Sequence, residues 1–252
     1  MKQFLFSSIT GLILLWSASC IAAPGELGDN GGDNANPHNL SSLSRNNAYK
    51  AVVQATPGKE TQICIFCHTP HSARSVAPLW GRPDSTATFG IRAGLQISDP
   101  AIVNTTLYRT GADYPNGATK VCLSCHDGVT AMGILANGNE FVMTTPPILS
   151  ANFDIDLSTS HPVSFVYNSD VRDYLHLQSP SYQPWSTAYL DSEYRVQCTT
   201  CHQPHKDTKG VGSGIYPFWR RGNGEAGDYD PVCNSCHTST PIITLPDTEH
   251  NF

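Results

Sequence analysis

Apolar positions in this chain recur with little helical periodicity, and the longest apolar stretch lies at the N-terminus. Residues 4–16 are mostly apolar and follow Lys2. That length suits the core of a secretory signal, whereas a bilayer span needs about 18 or more apolar residues without such Ser interruptions. Cys20-Ile21-Ala22 fits a small-x-small cleavage site, and Ser17-Ala18-Ser19 fits nearly as well. Residues 1–22 are therefore read as a signal peptide. Cys20 as a lipoprotein cysteine is the alternative, although Ser17 stands where Leu is usual. Residues 23–37 are polar and Gly-rich and read as a flexible arm. Further on, alternating positions predict short strands at 50–54, 140–144 and 162–167. No later stretch is apolar for long enough to span a membrane.

Composition sharpens this picture. The chain has 252 residues with 20 Gly, 18 Pro and only 14% charged residues. That mix favours turns and irregular loops over long helices. The formal charge of -6 speaks against a nucleic-acid partner.

Eight of the nine cysteines fall into four pairs of one spacing, each followed by His: Cys64-x-x-Cys67-His68, Cys122-x-x-Cys125-His126, Cys198-x-x-Cys201-His202 and Cys233-x-x-Cys236-His237. C-x-x-C-H is the attachment pattern of c-type haem. Thiols three residues apart lie on one side of a helical turn and can bond both vinyl groups. The next residue sets an imidazole under the iron. Zinc ribbons and disulfide scaffolds also use paired cysteines, but neither explains a His after every pair. The expectation is four covalent haem c groups per chain, with His68, His126, His202 and His237 as proximal ligands. No mature cysteine then remains for a structural disulfide. The groups would replace apolar core, so the chain without them should fold poorly. The fold class expected is a mostly irregular, loop-rich cytochrome with short helices around the motifs and a few short strands.

The motifs sit inside a larger repeat. One half, residues 38–145, contains HNLS, CIFCHTPH, PLWGR, DY and VCLSCH in that order; the other, 146–252, contains HPVS, CTTCHQPH, PFWRR, DY and VCNSCH. Two dihaem repeats follow, with variation confined to the loops. Each half supplies four patterned histidines, and two bis-imidazole irons need four. His38, His71, His161 and His205 are thus expected as distal ligands. His71 and His205 lie three residues beyond a proximal His, on the wrong side of their own macrocycle, so each is expected to serve a neighbouring haem. His176, His250, Met132 and Met143 have no counterpart in the repeat and are read as non-ligands. In P-x-W-x-R, Trp80 and Trp219 are expected to pack on porphyrin faces, and Arg82 and Arg221 to pair with propionates. DNGGDN from Asp29 lacks the EF-hand ligand order and is read as part of the arm.

With HNLS at His38, ICIFCHTPH ending at His71, APLW, VCLSCHDG, SHPVSF and QCTTCHQPH ending at His205, the chain resembles the OmcE-like extracellular tetrahaem cytochromes. The resemblance implies bis-His haems, a loop-rich subunit, and a filament in which one distal His comes from the adjacent subunit. His38, preceded by the Gly- and Asn-rich arm, is the ligand expected to reach across. The expected function is electron transfer without catalysis. Partners would be redox protein donors and acceptors, extracellular acceptors, and further copies of the chain. The location would be extracellular or at the cell surface, otherwise periplasmic. A monomeric periplasmic shuttle is the alternative. A multihaem reductase would need an iron with an open position, and eight patterned histidines already fill eight positions.

Overall fold

A computed structural model describes residues 27–28, 36–45, 49–54, 58–73, 79–89, 115–144, 157, 160–174, 177, 189–206, 218–220 and 230–237. Residues 1–22, read as a signal peptide, most of the segment read as an arm, His176, His250, Arg221 and both DY pairs lie outside the described residues. Regular structure is sparse among the described ones. Two 3-10 turns, Lys59–Thr61 and Cys64–Phe66, open the first half. Four short helices follow: α1 (Gly117–Leu123), α2 (Ser169–Tyr174), α3 (Cys198–Cys201) and α4 (Asp230–Cys233). Strands β1 (Phe165–Val166) and β2 (Arg195–Val196) pair antiparallel, Phe165 opposite Val196. No helix among the described residues is long and apolar enough to cross a membrane.

Segments 50–54 and 140–144, read as strands from alternation, meet through one bridge between Ala51 and Met143. The Val52 N–H donates to the Val142 carbonyl at 2.7 Å and the Thr144 N–H to Lys50 at 2.8 Å. Gly133 explains why the loop before 140–144 can close on it. A Cβ there would stand 2.0 Å from the Phe141 carbonyl oxygen, so any side chain would force the backbone apart.

Among the described residues the buried apolar side chains form small clusters. Leu40, Ala51, Phe66 and Met132 pack together in the first half, with Ile65 and Cys67 against them. Met132 is thus a packing residue. Phe165, Tyr167, Val171 and Val196 form the cluster of the second half, with Cys236 against it. Trp219 and Val232 pack against Cys201 and Cys233. Every cluster contacts a C-x-x-C-H cysteine.

A polar seam joins the halves where α1 meets α3. Gln197, fully buried, accepts from the Thr119 hydroxyl at 2.6 Å and donates to Asp191 and Asn116, each at 2.9 Å. The Cys198 N–H donates to the Thr119 hydroxyl. Gly117 begins α1 at φ +52, where a Cβ would meet the Gln197 amide nitrogen at 2.7 Å. Both the backbone angle and the space therefore call for glycine.

Asp191 anchors the turn into β2. Its carboxylate accepts from the backbone N–H groups of Glu193 and Arg195, the Arg195 guanidinium and the Gln197 amide. Burial opposes its charge, but these donors prevail and hold the carboxyl below its usual range. A carboxyl depressed on folding stabilises the protein above about pH 4, and that contribution fades as pH falls through the folded-state pKa. Asp191→Asn should lower the melting temperature at pH 7 and melt with a shallower acid dependence than the parent, as read by thermal denaturation of the mature protein between pH 7 and pH 3.

Candidate haem-ligation site

Each C-x-x-C-H segment folds as one α-turn. The His N–H donates to the first cysteine's carbonyl at 2.9 Å (His68) and at 3.0 Å (His126, His202 and His237). The repeated V-C-x-S-C-H explains two of these turns further. Ser124 and Ser235 each donate a hydroxyl to the valine carbonyl three residues back, at 2.7 and 2.6 Å. None of the eight cysteines is disulfide-bonded. Burial raises Cys67 and Cys201 to about 12, so their thiols are neutral. The first cysteines of the second and third motifs touch across the seam: Cys122 hydrogen-bonds Cys198, which raises Cys122 and lowers Cys198.

The histidines converge in pairs. Ring centroids lie 6.0 Å apart for His38 and His126, 6.1 Å for His68 and His205, and 6.4 Å for His161 and His237. Two imidazoles on opposite sides of one metal, with metal–nitrogen bonds of about 2 Å, put their centroids roughly 6 Å apart. Rotation about the ligand axis leaves that separation unchanged, so interplanar angles of 59°, 27° and 87° are all compatible with it. Direct ring stacking would bring the centroids closer, as in the 4.1 Å stack of His38 on Phe218.

Hydrogen bonds select which nitrogen is left for a metal. His38 Nδ1 lies 2.9 Å from the Pro204 carbonyl and His161 Nδ1 lies 2.8 Å from the Pro162 carbonyl. A carbonyl only accepts, so Nδ1 carries the proton and Nε2 keeps its lone pair. The Leu79 carbonyl beside the His68 ring favours its protonated form. Burial, with His126 nearby, lowers His38 to about 4. Burial also lowers His68, with His205 adding to it, and lowers His237. Neutral imidazole is the form that ligates iron.

His202 and His71 have other surroundings. The His202 ring meets Trp219 edge-on at 5.3 Å. His71 is exposed, its carbonyl accepts from the Thr69 hydroxyl, and among the described residues its ring has no partner.

Three of these residues have neighbours that their motifs did not indicate. His38, read as reaching a neighbouring subunit, lies against His126 of its own chain, held by Pro204 and Phe218. Arg82 was expected on a propionate. It is fully buried and donates to the carbonyls of Met132, Ala131 and Ser124, so its guanidinium closes loops. Trp80 was expected on a porphyrin face. Its ring stands edge-on to His68 at 5.6 Å, and its Nε1 donates to the Ser124 hydroxyl at 3.2 Å. Phe218 and the Pro204 carbonyl, which fix His38, carried no signal of their own in the sequence, although both belong to repeated segments.

The residues fit haem c on two counts: four turns, each closed by the same His N–H to Cys carbonyl bond and each carrying two thiols and an imidazole, and three imidazole pairs at metal-bridging separation. No family model matches the chain, and no curated protein does.

Removing Arg82 separates its two possible roles. Arg82→Leu should destabilise the mature protein by roughly 2–4 kcal/mol, because buried carbonyls lose charged donors. Chemical denaturation reads that loss. A propionate role would instead move a reduction potential and leave stability almost unchanged.

Proposed function

We propose that this protein is a secreted tetrahaem c-type cytochrome that transfers electrons and catalyses no substrate reaction. The observation that carries the reading is the set of three imidazole pairs 6.0–6.4 Å apart, each joining the His of a C-x-x-C-H turn to a His from another repeated motif. Cys64, Cys67, Cys122, Cys125, Cys198, Cys201, Cys233 and Cys236 would hold the haems. His68, His126, His202 and His237 would ligate from the proximal side. His205 would complete the iron of His68, His38 that of His126, and His161 that of His237. Haem c supplies a one-electron couple when bound. The chain's own part would be to supply two imidazoles to each iron, which would leave no open site for a substrate, and to bring the attachment points together. The contact between Cys122 and Cys198 brings the second and third attachment points together across the halves.

We further read the protein as a filament subunit. His38 and His161 each pair with the second motif of their own half, whereas His205 reaches from the second half back to the first. The repeat counterpart of His205 is His71, and its counterpart target is His202. The exposure of His71 supports a step from one copy to the next: His71 would ligate at the His202 position of a neighbouring copy. A head-to-tail contact of this kind leads to an open filament rather than a closed dimer. Secretion rests on the N-terminal segment, and acceptors outside the cell fit such an assembly.

Intact mass should exceed the processed chain by four haem masses that survive acid-acetone extraction, with all irons low-spin in the assembled protein. His38→Ala and His205→Ala should each open one CO-binding iron and leave filaments in electron micrographs. His71→Ala should open one iron and disperse the filaments. A wild type that is monomeric with every iron six-coordinate would make the protein a shuttle. An iron that binds CO in the unmodified assembled protein would favour the reductase.

A further inference from the structure

Both halves carry the same clamp at their first attachment motif. The Thr69 N–H donates to the Leu79 carbonyl at 2.7 Å, and the Gln203 N–H to the Phe218 carbonyl at 2.6 Å. Two residues on, the Gly81 N–H donates to Cys67 and the Arg220 N–H to Cys201, both at 2.8 Å. The result is a bridge between His68 and Trp80 and another between His202 and Trp219. Leu79 and Phe218 adopt φ 60 and φ 67, a region that L side chains with a Cβ rarely occupy. Leu79 is half-exposed, so side-chain burial does not account for its strain. Its carbonyl accepts from the Thr69 backbone and lies beside the His68 ring, and backbone strain that persists in this way points to a task at the site.

The indoles complete the clamp. Trp80 stands edge-on to the His68 ring at 88°, and Trp219 to the His202 ring at 79°. Each also reaches the second motif of its half. Trp80 Nε1 donates to Ser124, between Cys122 and Cys125. Trp219 packs against Cys201 and Cys233 together.

We propose that Trp80 and Trp219 are positioning residues. Each fixes the plane of the proximal imidazole at the first motif of its half and ties that motif to the second. The proposal rests on the tetrahaem reading above. An imidazole bound through one nitrogen keeps one freedom, rotation about the bond to the metal. A perpendicular indole beside the ring restricts that freedom at both His68 and His202, and at His68 the Leu79 carbonyl adds to it. The orientation and hydrogen bonding of an axial imidazole tune the metal it ligates, so the clamp sets the electronic character of two of the four irons.

The test uses the mature four-haem protein, with intact mass, low-spin EPR and a spectroelectrochemical titration as readouts. Trp80→Leu should keep four haems, move the largest g value of one EPR signal and shift one of four midpoints. Trp219→Leu should do the same to a different signal. Trp80→Phe keeps an aromatic edge on His68 and should shift the same signal by less. Leu79→Gly keeps the carbonyl and relieves the strained φ, so its EPR and titration should match the parent. Unchanged EPR and midpoints in Trp80→Leu, with four haems bound, would overturn the proposal and leave the tryptophans as packing. Should Trp80→Leu not accumulate, Trp80→Phe decides, and no shift there overturns the proposal. A Leu79→Gly shift as large as that of Trp80→Leu would overturn it too, because the turn and not the indole would then set the plane. A parent protein with fewer than four haems would sink the tetrahaem reading instead, and the mass alone reports that.

Discussion

One hydrogen bond, made four times, governs this structure: the His N–H of each C-x-x-C-H donating to the first cysteine's carbonyl. It closes a single helical turn that carries both thiols and the imidazole. A single turn is not stable alone, because fixing its backbone angles costs more than one bond returns. Each turn therefore depends on what it packs against. The first has the Phe66 cluster, the third has the Thr119–Gln197 seam, and the fourth has Trp219 and Tyr167's cluster. The clusters are small because they have only to hold turns in place.

The same economy explains why the halves interlock. Among the described residues the apolar clusters of each half are small, and small units bury too little surface to be stable. Contacts that cross the repeat boundary do much of the joining. Asn36 donates to the His205 carbonyl, and His38 sits on Phe218 with its Nδ1 on Pro204. Gln197 fills the space left open by Gly117. The repeat is thus a unit of sequence, while packing joins its two copies into one body.

Much of the candidate site was legible because its chemistry depends on residue identity at fixed spacing. C-x-x-C-H names thiols and imidazole outright, and counting repeated histidines singled out the rings that come together as three pairs. What stayed hidden depends on the path of the backbone between motifs. Nothing in the string HNLS says that His38 turns inward onto Pro204 instead of outward along the arm. Nor does P-x-W-x-R reveal that Arg82 aims at carbonyls 42 to 50 residues away in sequence. Strand alternation was legible at 162–167, where β1 forms, but it could not show that 50–54 and 140–144 would meet at a single bridge.

On the proposed reading, the two kinds of distal ring have different consequences for assembly. Rings that act within their own half, His38 and His161, add nothing when repeats are joined, because every half is complete in that respect. Rings that act on the half before them, His71 and His205, can be matched inside the chain only once. A chain of two such repeats always carries one backward-reaching ring at its leading end, and here that ring is the exposed His71. Joining chains moves the unmatched ring along without removing it, so growth has no natural stop. The number of repeats sets the subunit length, and the direction in which the H-x-P-H histidine reaches decides whether subunits polymerise. A change that turned His71 back onto His202 of its own chain would satisfy every iron in a monomer and convert a wire into a carrier.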